Sequence, residues 1–129
     1  MNWIKAAAIS GFLAIILGAF GAHMLQAQLS NLGMEVYRTA VLYHLIHTLA
    51  LLGFGVLRLL LPGTKKWSGY CFVLGIILFS GSLYALALTQ IRLFGIITPI
   101  GGACFLLGWA GLFFQDVTKL PFEIKEKNS

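Results

Sequence analysis

The chain has 129 residues, of which 59% are hydrophobic and only 10% charged, with a formal net charge of +5 and a mean hydropathy of +0.90. A soluble domain carries roughly a quarter charged residues, so this composition cannot cover an apolar surface with polar groups, and lipid must be the solvent for most of the chain. The positive charge does not point to nucleic acid, because no basic, aromatic-rich surface lies outside the apolar segments.

Four stretches approach the roughly 20 apolar residues that a helix needs to cross a bilayer core: 4–25, 39–61, 70–88 and 98–114. The apolar runs are continuous rather than alternating, which disfavours barrel strands. Helices satisfy their own backbone groups in lipid. The expected fold is therefore all-α, a four-helix transmembrane bundle over 1–114, followed by a polar tail at 115–129.

The first stretch carries Lys5 at its start, as a signal peptide carries its basic residue ahead of the apolar region. It is long for one, and its small residues belong to a stripe that continues along the helix, so an uncleaved helix is expected. That stripe contains Gly11, Gly18 and Gly21, and His23 closes the segment. The connection to the second stretch is polar. Ser30 or Asn31 is placed to cap a helix, with Glu35 in its first turn and Arg38 three residues on.

The second stretch carries Tyr37, Ala40, His44, His47 and Leu51 on one helical face and ends at Pro62-Gly63. Lys65-Lys66-Trp67 opens the third, which carries Ser80, Ser82 and Tyr84 toward its end. Thr98 opens the fourth, whose stripe of Gly101, Gly108 and Gly111 repeats the spacing of the first. Small-residue faces let helix backbones approach closely in lipid. These two are expected to pack either on each other or across subunits. Cys71 and Cys104 fall at different depths and are not expected to bridge.

Orientation is set by the basic residues. One side holds Lys5, Arg58, Lys65, Lys66, Lys119, Lys125 and Lys127, and the other only Arg38 and Arg92, which predicts cytoplasmic N and C termini. Chain reversal then gathers His23, His44, His47, Ser80, Ser82, Tyr84 and Thr98 in the outer half of the bilayer. Buried polar groups in lipid need partners. These side chains are open to use as an interhelical hydrogen-bond network, as metal or haem ligands through imidazole, or as contacts to a polar headgroup or quinone ring.

Four motifs in chain order now carry a resemblance. They are Gly18-Ala-Phe-Gly-Ala-His23; Tyr43 with His47 and Leu49-Ala50-Leu51; Phe79-Ser-Gly-Ser-Leu-Tyr84; and Ile97-Thr-Pro-Ile-Gly-Gly102 with Gly108-Trp109. Together they resemble the domain of unknown function 423 family, the YgdD/YwdK-like small membrane proteins, over about Ile9 to Trp109. The resemblance implies a four-helix integral membrane protein of bacterial inner membranes and, among eukaryotic relatives, of mitochondria. It supplies no established activity, and the cofactor stays unknown. It falls on His23, Tyr43, His47, Ser80, Ser82, Tyr84, Thr98 and Pro99, whereas the family pattern has Gln where this chain has His44. That weakens a metal site needing His44 and leaves His23, His47 and Tyr84 as the central candidates.

The functional expectation is a non-enzymatic protein of the bacterial cytoplasmic (inner) membrane with no catalytic residues. Its outer-half pocket of His23, Tyr43, His47, Ser80, Ser82, Tyr84 and Thr98 is expected to bind a lipid headgroup or small amphipathic ligand. Its partners are expected to be the lipid bilayer and either a second copy of itself, as a homo-oligomer, or a larger membrane complex. The alternatives are a small proton or metal-ion transporter or channel using His23 and His47, and a haem- or quinone-binding accessory or assembly subunit.

Overall fold

A computed structural model describes residues 1–120, so most of the expected tail, 121–129, lies outside the described residues. Four helices are long and apolar enough to cross a membrane: α1 (Trp3–Leu25), α2 (Asn31–Leu60), α3 (Trp67–Thr89) and α4 (Leu93–Phe113). Among the described residues there is no strand.

Local chemistry sets the helix ends. The Asn2 side chain accepts from the Lys5 N–H at 3.1 Å at the start of α1, and Ser30 Oγ accepts from the Gly33 N–H at 3.0 Å at the start of α2. Each satisfies a donor that the first helical turn leaves unpaired. The Ser30 cap explains why α2 begins at Asn31, ahead of the apolar stretch that opens at 39. With 30 residues, α2 is about 45 Å long and outreaches a hydrocarbon core of about 30 Å. Leu93 opens α4, also ahead of the expected start at 98, so Pro99 lies inside the helix. Gln90, in the left-handed region at φ 59°, stops α3 and turns the chain into α4.

Short connections make sequence neighbours into antiparallel neighbours in space. Accordingly α1 lies on α2, α2 on α3, and α3 on α4. The glycine stripes follow this order and do not face each other. Gly11, Gly18 and Gly21 of α1 meet Thr48, Val41 and Tyr37 of α2, while Gly101, Gly108 and Gly111 of α4 meet Phe79, Phe72 and Ser68 of α3. Within the chain the stripes thus form two separate seams, α1 on α2 and α3 on α4, instead of packing on each other. The closest approach to another backbone is at Gly101, where a β-carbon would collide with the backbone N and Cα of Phe79.

Two apolar clusters close the ends of the bundle. Trp3, Ala7, Leu51, Phe54, Phe72 and Phe105 pack toward the end carrying the start of α1, and Leu25, Met34, Tyr37 and Ala87 toward the other. The histidines of α2 lie between them. Two wide π-helical turns, Gly21–Leu25 in α1 and Ile76–Ser80 in α3, interrupt the regular winding. Such turns place an extra residue in the helix and rotate the later side chains about its axis. After the second, Ser82 and Tyr84 stand about 200° apart around α3 and reach different neighbours.

Candidate functional site

His44 and His47 lie one turn apart on α2, and each is only 5% exposed. Their surroundings differ. His47 is directed at α4. Its ring lies on Phe105 with centroids 3.5 Å apart and planes 9° from parallel, and Trp109 crosses its edge. Its Nδ1 meets the Tyr43 carbonyl at 2.8 Å, and the indole N–H of Trp109 donates to Nε2 at 3.2 Å. A carbonyl can only accept and an indole N–H can only donate, so these partners fix the neutral tautomer that carries hydrogen on Nδ1. Both nitrogens are occupied, which leaves no lone pair for a ligand without breaking a bond.

His44 is directed between α1 and α3. Its Nδ1 lies 3.0 Å from Tyr84 Oη, its Nε2 lies 3.1 Å from Ser10 Oγ, and Ser10 Oγ lies 2.6 Å from Thr48 Oγ1. Every link in this chain joins groups that can both donate and accept, so the protons can run in either direction. Tyr84 also packs edge-on to Tyr37, whose hydroxyl donates to the Leu17 carbonyl of α1. The absence of a β-carbon at Gly21 admits the Tyr37 ring to that position.

A lateral groove of about 500 Å³ runs between α1 and α3 with α2 as its floor. Ser10, His44 and Tyr84 supply its polar groups, Leu13, Leu17 and Ile77 are among its apolar lining, and no charged side chain lines it. Ile9, Leu13 and Ile77 are exposed along its rim, so it opens sideways rather than to water. Ser10 stands about 10 Å along α1 from Trp3 and about 22 Å from Leu25, which puts the polar chain deep in the apolar span.

The remaining expected site residues are dispersed. His23 is exposed on the π-helical end of α1, and among the described residues no hydrogen bond joins it to His47 or Tyr84. Tyr43 packs on Phe79 at 4.5 Å beside His47. Ser82 faces α4, where its hydroxyl lies 2.6 Å from Thr98 Oγ1, and it also donates to the Phe79 carbonyl. Ser80 is fully buried in the wide turn of α3, with no hydrogen-bond partner for its hydroxyl among the described residues. The structure therefore groups Tyr43 with His47, Ser82 with Thr98, and Tyr84 with His44, and it does not assemble a His23–His47–Tyr84 site. Among the described residues no group of three or more His, Cys, Asp or Glu side chains could hold a metal, and Cys71 and Cys104 are free.

Sequence reasoning passed over Ser10 and Thr48, and reached Trp109 only as part of a family motif. Ser10 had a signal, since it is the one hydroxyl residue in α1. An isolated hydroxyl in a lipid-spanning helix asks for a partner, and antiparallel pairing sets Ser10 opposite Thr48.

Comparison with known proteins adds family and location. A family model described as a protein of unknown function (DUF423) matches residues 17–102. The UPF0382 inner membrane protein YgdD of Escherichia coli (strain K12) is 47% identical over 105 residues, covering 81% of this chain and 80% of the relative. A UPF0382 membrane protein of Staphylococcus haemolyticus (strain JCSC1435) is 45% identical over 113 residues, covering 88% of this chain and 93% of the relative. Another, from Staphylococcus epidermidis (strain ATCC 35984), is 43% identical over 107 residues, covering 83% and 88%. No solved structure matches the chain.

Proposed function

The chain belongs to the DUF423 family and is an integral protein of the bacterial inner membrane, and from that premise we propose that it binds a neutral amphipathic lipid in the groove between α1 and α3. The observation that carries this reading is the polar chain Tyr84–His44–Ser10–Thr48 beside a laterally open groove that no charged side chain lines. A phosphate-bearing head finds no cationic side chain beside Ser10, His44 and Tyr84, and at this depth it would have to leave water entirely, at a cost of several kcal/mol or more. A head reduced to a hydroxyl or carbonyl can enter. When the protons run from Tyr84 toward Thr48, the Tyr84 oxygen accepts from a ligand hydroxyl. When they run the other way, the Tyr84 hydrogen is available to a ligand carbonyl. The apolar walls take the hydrocarbon part.

Gly81 supplies the test. It lines the groove, and a β-carbon there would meet nothing within 4 Å. Gly81→Leu therefore fills the space while leaving the polar chain in place. Native mass spectrometry of protein extracted in lipid nanodiscs is expected to show a neutral lipid retained by the wild type and lost from both Gly81→Leu and His44→Leu. Leu106→Ala, on the outward face of α4 at 74% exposure, is expected to keep it. Equal retention by all four proteins overturns the reading.

A further inference from the structure

A second space lies at the end of the bundle where α1 begins and α2 ends. It measures about 650 Å³, and Lys5 of α1, Arg58 of α2 and Lys66 of the α2–α3 connection all line it, with Trp3 and Asn2 beside them. Three cationic side chains from three separate segments converge there beside Met1 and its amino group, and no carboxylate is among the residues lining it. Of the two described carboxylates, Asp116 lines a different pocket, and Glu35 stands near the start of α2 at the opposite end, just past the first turn expected for it. The arrangement is anchored at Arg58, which is half-buried and whose guanidinium donates to the Thr64 carbonyl at the end of the connection. One guanidinium N–H is thus spent on the fold, leaving others of its five donors to face the space. The pocket also sits at the level of Trp3, packed between Phe54 and Tyr70 at 5.2 and 4.9 Å, the kind of aromatic position found where hydrocarbon meets headgroups.

Like charges gathered in one recess repel unless an anion joins them, and at this level the abundant anion is the phosphodiester of an acidic phospholipid. We infer that the Lys5–Arg58–Lys66 pocket is a specific site for the phosphate of an anionic glycerophospholipid, on the cytoplasmic leaflet that the excess of Lys and Arg at this end predicts. Arg58 supplies the directed hydrogen bonds, and the two lysines close the phosphate from either side as mobile point charges. The space is large enough for a glycerophosphate head. This inference does not depend on the α1–α3 groove, whose ligand is uncharged and whose polar groups are Ser10, His44 and Tyr84.

The full chain is reconstituted in nanodiscs containing equal amounts of phosphatidylglycerol and phosphatidylcholine with identical acyl chains. Bound lipid is then read by native mass spectrometry. The wild type is expected to retain phosphatidylglycerol in preference to phosphatidylcholine. Each charge removed near a membrane surface weakens such binding about fivefold, so Arg58→Gln and the pair Lys5→Gln with Lys66→Gln are each expected to lower that preference by at least this factor. The lysine pair leaves the Arg58–Thr64 bond intact, so it reports even where Arg58→Gln unfolds. Lys65→Gln and Lys119→Gln remove charge from the neighbouring pocket at the same end and are expected to leave the preference unchanged. Equal losses in these controls would mean diffuse surface charge and would overturn the site. Millimolar inorganic phosphate or glycerol 3-phosphate displacing the lipid from wild type would assign the pocket to a soluble anion and overturn the lipid assignment. No preference for phosphatidylglycerol in the wild type overturns both.

Discussion

The surroundings of His47 and His44 differ more than the residues do. Both belong to α2, both are 5% exposed, and both nitrogens of each ring find partners. On the α4 side, Phe105 and Trp109 enclose His47 and its partners are one-directional, so its tautomer and position are fixed. On the α1–α3 side, His44 links amphoteric hydroxyls next to a groove of about 500 Å³. Burial and hydrogen bonding do not separate the two histidines. The space beside the ring and the reversibility of its partners do. The family pattern emphasised His47, yet the geometry reserves that side chain for packing and leaves adaptable chemistry to His44.

Substitutions that challenge this contrast fall in a sequence of decreasing effect on the fold. The largest effect is expected at the closed seam of α3 and α4. Gly101→Ala drives a β-carbon into the Phe79 backbone, which cannot rotate away as a side chain would. Its cost is expected at the upper end of, or beyond, the about 1–3 kcal/mol typical of overpacking, read as a large drop in the midpoint of thermal unfolding in detergent.

Next comes His47→Leu, which leaves the indole N–H of Trp109 without its acceptor in apolar surroundings and is expected to cost about 1–3 kcal/mol. Replacing the donor as well, in His47→Leu with Trp109→Phe, is expected to cost less than the sum of the two single changes, because no unpaired polar atom remains. Additive losses would show that His47 and Trp109 are not coupled. Neither variant is expected to change lipid retention in the α1–α3 groove, and a loss of lipid there with the fold intact would erase the distinction between the two sides.

His44→Leu is expected to be milder on stability, on the order of 1 kcal/mol, since interhelical hydrogen bonds in membranes contribute about that much. Its groove ligand should nevertheless be lost. Tyr84→Phe sharpens this further, because it removes only the hydroxyl that faces the groove. It is expected to reduce ligand retention with less than about 1 kcal/mol of destabilisation, measured by the same unfolding and mass-spectrometric readouts.

The smallest effect on the fold is expected at Gly81. Gly81→Ala adds a methyl group into open space and reduces the conformational freedom of the unfolded chain. It should be neutral or stabilising by up to about 1 kcal/mol. Gly101→Ala and Gly81→Ala make the same chemical change with opposite expected signs, so a similar loss at both sites would contradict the packing described for α3.

Much of the layout was legible in the sequence because it rests on one-dimensional properties. Hydropathy marked the four spans, since a backbone in lipid must bond to itself. A cap at Ser30 or Asn31 was readable because capping depends on residues a few positions apart, and Ser30 takes the role. Motif order was enough to reach the family. Periodicity also marked the glycine faces, but it does not say which helix meets a face. The short turns settled that by pairing α1 with α2 and α3 with α4.

The partners of the polar residues belonged to the tertiary structure. The helical wheel sets His44 and His47 on nearly one face, about 60° apart. That angle is enough for one ring to reach α4 and the other to reach α1 and α3, once the neighbours stand where packing puts them. The wide turn at Ile76–Ser80 rotates the last part of α3, bringing Tyr84 to His44 and Ser82 to Thr98. Sequence by itself determined that the chain lives in lipid as four helices and that its few polar side chains must find partners there, because those demands come from solvent and local geometry. Which partners they found, and where a space was left beside them, depended on how four helices settled against one another, and no single helix carries that information.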